Sequence, residues 1–500
     1  MIRRSLLGDS TRDEATRINE VPVSHRWVFI SSEIRRIISG SLLRTPTLAT
    51  DSITPEVTKW TRILSQLNER LGRMSGGNDV VCSNGVPLGD QTATEMLNAI
   101  NSAKRRVWME VYIFDDSPLA AQFVRALKNA AKRGCEVILI IDYIGSFGFP
   151  SLFLNELSKH GAQVIVFNPF MDRQLAIGTM PFRNHKKILV VDNDIAFCGS
   201  MNVSVDSTSS KMGGNGRFYD INLRIRGPAV CDLANVFKRT LAMTSYKVED
   251  LQPCVPPSPI EDGVIVQVLE SDMFRLSRRN GIQSSLATVI SNIEHAVKAE
   301  QNVYLTTSYF YPPGFLRRTL LSACKRGLQV HMLLSGNSDV PGDINATLHV
   351  LRKFFRKRFE GANDFKVYMT TKEHCHGKCV VVDDIWSCVG SFNWDRWSSR
   401  RNLEVSVGIL DPSIAVKLKS LQMEKEKEAV EYTRADSLNR PTLLKIFDSL
   451  LYKIVRFSGR NCFDGLSNDG FKSRFKKAFI RTLIDDKAAE TIALCNMAGV

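Results

Sequence analysis

The chain of 500 residues contains two similar halves, and this duplication limits the folds that it can adopt. Segments 124–142 (VRALKNAAKRGCEVILIID) and 317–335 (RRTLLSACKRGLQVHMLLS) each predict an amphipathic helix followed directly by an apolar strand. A further apolar strand is predicted before each helix, at 107–114 and 303–310. The copies lie about 190 to 200 residues apart, which is far beyond the period of solenoid repeats. A whole domain has therefore been duplicated.

Each copy reads as strand, helix, strand, which predicts an α/β fold. Both helices end at Arg-Gly, where Gly134 and Gly327 suit the left-handed position just after a helix. We expect two duplicated lobes, each a mixed β-sheet flanked by helices, with an active site at the lobe interface. The predicted divisions are an N-terminal extension that could act as a targeting leader (1–77), lobe one (78–246), a Pro-rich linker (247–261), lobe two (262–412) and a helical, basic C-terminal extension (413–500).

One motif occurs once in each lobe. It reads FRNHKKILVVDNDIAFCGSMN in lobe one and EHCHGKCVVVDDIWSCVGSFN in lobe two. In each copy a histidine is followed by lysine, aspartate, serine and asparagine at the same spacing: His185, Lys187, Asp192, Ser200 and Asn202, then His376, Lys378, Asp383, Ser391 and Asn393. A single His-x-Lys pair is a common surface feature, but two full copies on a duplicated scaffold are specific.

The spacing of the motif has a physical meaning. Side chains alternate between the faces of a strand, so His185 and Lys187 share one face, as do His376 and Lys378. If the lobes face each other, two imidazoles, two ammonium groups and two asparagine amides surround one pocket. Such a pocket suits a phosphodiester.

These paired motifs resemble the signature of the phospholipase D superfamily, over roughly residues 78–412. Within that superfamily, the segments around them resemble bacterial-type cardiolipin synthases. These segments are NDVVCSNGVPL, the strand carrying Glu110 and Tyr112, FYDINLRIRGPAV at 218–230 and SSRRNLEVSVGILDP at 398–412.

The resemblance implies a phosphatidyltransferase with a covalent phosphatidyl-histidine intermediate. It implies His185 as the nucleophile and His376 as the general acid and base, although the pseudo-symmetry leaves the reverse order open. The lysines, with Asn202 and Asn393, would bind the non-bridging phosphate oxygens. The chemistry requires no metal and no nucleotide, so no cofactor is expected.

The resemblance also implies that carboxylates orient the histidines. Asp220 and Glu404 are the candidates, and they could pair across the lobes; the alternative is that they are ordinary strand-end acids. Asp192 and Asp383 belong to the catalytic signature, but their distance from the lysines indicates that they tie the ends of strands. Glu110 lies in an apolar run and needs a partner there, so we expect it to support the site or to be a paired core acid.

Three functions remain open on the sequence. The first is cardiolipin synthesis from phosphatidylglycerol and a phosphatidyl donor, which could be phosphatidylglycerol, another phospholipid or a CDP-activated lipid. The second is phospholipid hydrolysis at the same site. The third is a nucleic-acid phosphodiesterase, which the net charge of +14 permits. Nucleic acid is the less favoured partner, since no nucleic-acid module is recognisable.

The N-terminal composition favours a mitochondrial protein associated with the inner membrane. Residues 1–50 contain eight arginines, seven serines and no lysine, which is typical of import leaders. A basic tail on a peripheral membrane or cytoplasmic protein is the alternative. The 11 cysteines follow no framework spacing and indicate a reducing compartment. His374, Cys375, His376 and Cys379 cluster as zinc ligands can, but no second ligand pair follows them.

The C-terminal extension is expected to be helical. Residues 421–434 predict a charged, exposed helix. Residues 442–457 carry Leu443, Phe447, Leu450, Ile454 and Phe457 on one helical stripe, and 471–484 carry phenylalanines at a spacing of four with basic residues between them. No run of 18 apolar residues predicts a transmembrane helix. The stripes therefore either pack on the lobes or contact an anionic membrane surface.

Overall fold

The computed structural model describes most of the chain. It covers residues 74–82, 88–168, 182–244, 253–272, 281–292, 301–356 and 365–458, with Trp60, Ile63, Tyr246 and Leu251. The strands are β1 Met74–Cys82, β2 Arg106–Val111, β3 Glu136–Asp142, β4 Gln163–Phe167, β5 Ile188–Val191, β6 Ile195–Gly199, β7 Phe218–Tyr219, β8 Asn222–Arg226, β9 Val264–Ser271, β10 Asn302–Thr307, β11 Gln329–Ser335, β12 Phe365–Thr370, β13 His374–Cys375, β14 Cys379–Val382, β15 Trp386–Gly390, β16 Glu404–Leu410 and β17 Val430–Glu431.

The α-helices surround this sheet structure. They are α1 Leu88–Ser102, α2 Pro118–Lys132, α3 Ser151–Lys159, α4 Ala229–Leu241, α5 Gly281–Asn292, α6 Gly314–Lys325, α7 Asp343–Phe355, α8 Arg396–Arg400, α9 Pro412–Glu428, α10 Arg434–Asn439 and α11 Thr442–Ser458. The expected α/β fold with two duplicated lobes is confirmed.

The described strands form one continuous sheet of 15 strands and one separate pair. The order in the large sheet is β17-β12-β11-β10-β14-β15-β16-β9-β1-β8-β6-β5-β2-β3-β4. Outward from the β1–β9 junction, both halves repeat antiparallel strands followed by three parallel strands, and in lobe two the short antiparallel strand β17 is added at the edge. The two lobes therefore share the same arrangement of strands.

The duplicated strand-helix-strand unit appears as β2-α2-β3 and β10-α6-β11. Helix α2 starts where the Ser117 hydroxyl accepts a hydrogen bond from the Ala120 amide, and Pro118 occupies the first turn. Both helices are followed by glycine in the predicted left-handed conformation, with φ of +88° at Gly134 and +79° at Gly327.

The motif glycines lie where two strands approach closely. A Cβ added to Gly199 would lie 2.5 Å from the Ile221 carbonyl oxygen, and one added to Gly390 would lie 2.3 Å from the Val405 carbonyl oxygen. Any larger residue would push apart strands β6 and β8, or β15 and β16. This explains why glycine precedes the serine in both copies.

Asp192 and Asp383 lie in the turns of the two motif hairpins, each with φ in the left-handed region. The Asp192 carboxylate accepts hydrogen bonds from the backbone amides of Arg105 and Arg106 at 2.8 and 3.0 Å. The Asp383 carboxylate accepts one from the Asn302 amide at 3.1 Å. Both aspartates thus tie their hairpin to the start of a neighbouring strand.

Backbone pairing also crosses between the halves near the motif histidines. Strand β13, which begins at His374, pairs in parallel with β7. On the other side, the His185 amide donates to the Leu403 carbonyl oxygen at 3.0 Å. Each histidine segment is therefore held by the opposite half. We propose that the boundary between the lobes lies near the Pro-rich linker. The linker leads into β9, and β9 pairs with β1 where the two halves of the sheet meet.

Two expectations from the sequence are wrong. The helix predicted at 421–434 has other bounds, because α9 begins at Pro412 and ends at Glu428. It is also not fully exposed, since Gln422 is buried against Thr306 and Glu426 against His331. The expectation of reduced thiols fails at one pair: Cys231 on α4 and Cys254 in the linker form a disulfide, with their Cα atoms 5.5 Å apart. The other described cysteines are buried and form no disulfide.

No helix in the described part of the chain is long and apolar enough to span a bilayer. The leader at 1–50 and the segment at 471–484 lie outside the described residues.

Candidate active site

The motif histidines and lysines lie together at the boundary between the two halves. His185 and Lys187 lie directly before β5, and the intervening Lys186 points to the opposite side, where its ammonium lies 3.8 Å from the Glu110 carboxylate. This alternation is the one expected of extended backbone. His376 and Lys378 are arranged in the same way before β14, and all four side chains are buried.

Each imidazole contacts a carboxylate from the other half. His185 Nδ1 lies 3.1 Å from Glu404 Oε2, and His376 Nδ1 lies 2.6 Å from Asp220 Oδ1. An ionised carboxylate can only accept, so Nδ1 carries the hydrogen in both rings. Nε2 is therefore left with its lone pair, which is the form that a nucleophile or a general base requires.

The two carboxylates are themselves held by the motif serines. The Ser200 hydroxyl donates to Asp220 at 2.6 Å, and the Ser391 hydroxyl donates to Glu404 at 2.5 Å. Ser398, on α8, donates to the second Glu404 oxygen at 2.6 Å. The serines fix each carboxylate so that it presents one oxygen to its histidine.

The carboxylates are ionised and the imidazoles neutral. Burial alone would raise the pKa of Asp220, but His376, Lys378 and the Ser200 hydroxyl hold it below its usual range. Glu404 is lowered in the same way, against burial, by His185, Lys187 and Ser391. Burial, reinforced by the nearby lysines, lowers the pKa of both histidines, although their carboxylates oppose this shift.

The two motif lysines are close enough to influence each other. Burial, followed by the charge of Lys378, lowers the pKa of Lys187 to about 7, and burial lowers the pKa of Lys378 to about 8. Lys378 also depresses the pKa of His185. Cations from both halves thus act on the same space, and an anion placed there would relieve their repulsion.

The motif asparagines each keep one polar atom without a hydrogen-bond partner in the described structure. Asn202 Oδ1 accepts from the Ile113 amide at 3.2 Å, whereas its Nδ2 has no partner. Asn393 is likewise buried, with Oδ1 unpartnered. The unpartnered Asn202 amide nitrogen is a donor and suits a phosphate oxygen, whereas the unpartnered Asn393 oxygen is an acceptor and suits a donor group.

Glu110 lies behind the histidine of lobe one and has partners. It accepts from Asn184 Nδ2 at 2.9 Å and faces the Lys186 ammonium. Asn184 precedes His185, so Glu110 braces the backbone that carries the imidazole. Glu110 therefore supports the site through Asn184 and not through the imidazole itself.

Sequence reasoning missed several neighbours of the histidines. The Tyr112 ring lies edge-on to His185, with centroids 5.0 Å apart, and Phe218 stacks on His376 at 4.7 Å. Both residues occur in segments that resemble the cardiolipin synthases, but nothing in their spacing singled them out. Ser398 was also missed, although it lies in the quoted SSRRNLEV segment.

The sequence also contained a cluster of possible zinc ligands, formed by His374, Cys375, His376 and Cys379. His374 Nδ1 lies 2.7 Å from the Asn337 carbonyl oxygen and 2.9 Å from the Ser335 hydroxyl. Its ring is 5.9 Å from that of His376, measured between centroids. His376 is turned toward Asp220, so the two imidazoles serve different partners.

Comparisons with known proteins add to this geometry. Residues 96–240 and 290–423 match the family described as "Cardiolipin synthase, PLD-like domain". Cardiolipin synthase A of Pseudomonas aeruginosa (strain LESB58) is 26% identical over 348 residues, which cover 70% of this chain and 67% of that protein. The major cardiolipin synthase of Bacillus subtilis (strain 168) is 28% identical over 360 residues, covering 71% of each chain.

A solved structure shares the fold. The phosphatidylserine synthase of Haemophilus influenzae Rd KW20 superposes with a TM-score of 0.58 at 13% identity, covering 80% of this chain and 98% of that one. At this identity the likeness concerns the fold alone.

Proposed function

Because this chain belongs to the family of cardiolipin synthases with phospholipase D-like domains, we propose that it makes cardiolipin by transferring a phosphatidyl group to phosphatidylglycerol. The family expected from the paired motifs is confirmed. The enzyme class, a phosphatidyltransferase acting on phospholipids, follows from the same comparisons. The donor, the acceptor and the chemical route are the proposed part.

A single observation supports the route best. Two neutral imidazoles, one from each half, are each held through Nδ1 by an ionised carboxylate of the other half. Both Nε2 atoms therefore carry a free lone pair. The ammonium groups of both motif lysines lie near the same place. A pair of poised imidazoles beside two cations matches what two successive displacements at one phosphate need.

In the first proposed step, His185 Nε2 attacks the phosphorus of the donor. An N–P bond forms and the P–O bond to the departing alcohol breaks, while His376 gives its Nε2 proton to that oxygen. The arriving phosphodiester is an anion, so its binding raises the pKa of His376 and allows it to carry this proton. Lys187 and Lys378 balance the charge on the non-bridging oxygens.

In the second proposed step, a hydroxyl of phosphatidylglycerol attacks the phosphatidyl-histidine. His376 takes the hydroxyl proton, the new P–O bond forms, and the N–P bond breaks to restore His185. If phosphatidylglycerol is also the donor, the products are cardiolipin and glycerol. Water in place of the acceptor would give phosphatidic acid, which is the hydrolase alternative.

We expect purified protein incubated with vesicles of phosphatidylglycerol to release cardiolipin and glycerol in equal amounts. Mass spectrometry of the lipids, with an enzymatic assay of glycerol, measures both products. Parallel reactions with other phospholipids or a CDP-activated lipid identify the donor. Phosphatidic acid as the main lipid product would favour hydrolysis. Cleavage of DNA or RNA at a comparable rate, without any lipid product, would replace the proposal with a nuclease.

The cellular location is a separate question. The relatives named above are bacterial, and they do not support a mitochondrial address. The Arg- and Ser-rich composition of residues 1–50 is what favours it. Association with the mitochondrial inner membrane therefore stays a prediction, whereas contact with a membrane surface fits a phospholipid substrate.

A further inference from the structure

Helix α11 presents an apolar stripe to solvent. The exposed fractions are 81% for Leu443, 61% for Ile446, 49% for Phe447, 53% for Leu450 and 55% for Ile454. These positions recur at the three- and four-residue spacing of one helical face. Packing of this stripe on the lobes was one of the two alternatives left by the sequence, and the structure contradicts it for these residues.

The opposite face of α11 is anchored, so the stripe does not face outward by chance. Asp448 is fully buried and receives hydrogen bonds from Arg352 at 2.9 Å and from Arg440 at 2.8 Å. Tyr452, on the same side, is also buried and stacks on His349. The polar face is therefore packed on α7, and the apolar face is the one left uncovered by the described residues.

The anchored face of α11 adjoins elements that lead to the site. Tyr452 shares a hydrogen bond with Arg396, which follows the motif residue Asn393 by three positions. Leu451 approaches Gly342, at the start of α7. Arg396 lies on α8, where Ser398 holds Glu404, the carboxylate that contacts His185. Helix α11 is thus connected through α8 to the surroundings of that histidine.

Lobe one has exposed apolar side chains near its own histidine. Phe147, in the loop that follows β3, is 78% exposed. Leu152, in the first turn of α3, is 71% exposed. The neighbouring Ser146 hydroxyl donates to the Tyr112 carbonyl oxygen, and the Tyr112 ring contacts His185. Both lobes therefore carry large exposed apolar residues on segments that connect to the surroundings of His185.

We propose that the α11 stripe and the Phe147–Leu152 loop form one docking surface that rests on a bilayer containing anionic phospholipids. The inference rests on the proposed function, since a lipid phosphate can enter the site only where the enzyme meets the membrane. Lys453 and Arg456 are exposed on α11, and the chain carries a net charge of +14. Apolar side chains beside cations suit an anionic interface.

A second copy of the chain is the weaker occupant for this surface. Two copies of a chain with a net charge of +14 repel each other, and a second copy of this stripe brings no anionic group to Lys453 and Arg456. A bilayer of anionic lipid instead accepts both the apolar side chains and the cations.

The test uses the full chain with Leu443, Phe447 and Leu450 all replaced by serine. We expect its partition onto vesicles of equal phosphatidylglycerol and phosphatidylcholine to fall at least tenfold in a flotation assay, because three exposed apolar anchors are lost. Phe147→Ser combined with Leu152→Ser is expected to lower the partition severalfold. The matched control replaces three exposed valines elsewhere, Val255, Val416 and Val430, by serine and is expected to float like the parent.

Two further measurements separate the outcomes. On short-chain phosphatidylglycerol in detergent micelles, the triple α11 variant is expected to keep the parent rate within about twofold, since no site residue changes. Undiminished flotation of the triple variant, or its conversion from dimer to monomer in analytical ultracentrifugation, would overturn the docking proposal. A parent chain that floats but forms no cardiolipin in micelles would instead contradict the proposed function and leave the docking result intact.

Discussion

Replacing either His185 or His376 by asparagine is expected to lower the proposed rate of cardiolipin formation by at least about 10³-fold, which is about 4 kcal/mol of transition-state free energy. Asparagine can keep a hydrogen bond to the carboxylate, but it supplies neither a nucleophilic nitrogen nor a transferable proton. In the proposed route each histidine has its own role in both displacements, so neither can replace the other. Initial rates on phosphatidylglycerol micelles, followed by mass spectrometry, measure the effect.

The chain offers a matched control for this substitution. His331 is another buried histidine whose Nδ1 contacts a carboxylate, Glu426, at 3.1 Å, but it lies between β11 and α9 outside the proposed site. His331→Asn is expected to lower thermal stability and to leave the rate of the folded protein within a few-fold of the parent. A rate within tenfold of the parent for His185→Asn or His376→Asn would contradict the two-histidine route.

The second large effect is expected at the carboxylates. Asp220→Asn and Glu404→Gln should each lower the rate by about 10²-fold or more, because an amide no longer selects the Nδ1–H tautomer or stabilises a protonated ring. Both changes also remove a negative charge that raises the pKa of the adjacent imidazole. The pKa of each histidine therefore falls further in its variant.

The direction of the pH shift follows from the proposed roles. A general acid must be protonated, so a lower pKa of His376 moves the alkaline limb of the rate profile to lower pH. A nucleophile must be neutral, so a lower pKa of His185 moves the acidic limb to lower pH as well. Both variants should thus have a more acidic pH optimum.

If a carboxylate only stabilised the fold, its replacement would reduce the rate without shifting the pH optimum. Glu426→Gln is the matched control. It disrupts the contact between Glu426 and His331 and should leave the dependence of the rate on pH unchanged. An unshifted optimum in both Asp220→Asn and Glu404→Gln would remove these carboxylates from the mechanism.

Much of the site's layout could be predicted because it lies in local patterns. The alternation of a strand places His185 and Lys187 on one face whatever the rest of the fold does. The duplication then implies a second, equivalent set around His376. The left-handed glycines after the helices are equally local, since the backbone alone requires them there.

Other features depend on contacts between distant segments and could not be found in this way. Tyr112 reaches His185 because β2 pairs with β5 inside lobe one, and Phe218 reaches His376 because β7 pairs with β13 across the lobes. The Cys231–Cys254 disulfide depends on the path of the linker beside α4. The amphipathic pattern of 442–457 predicted a helix, but which side would be buried was decided by Asp448 pairing with Arg352 and Arg440.

The stereochemical course at phosphorus tests the central proposal most directly. A phosphatidyl donor with a phosphorothioate of one configuration would be reacted with ordinary phosphatidylglycerol, and the configuration of the cardiolipin product read by phosphorus NMR. Each in-line displacement inverts the phosphorus centre. Attack by a histidine followed by attack of the acceptor therefore predicts net retention. Net inversion would mean a single direct displacement and would contradict the covalent route between the two lobes.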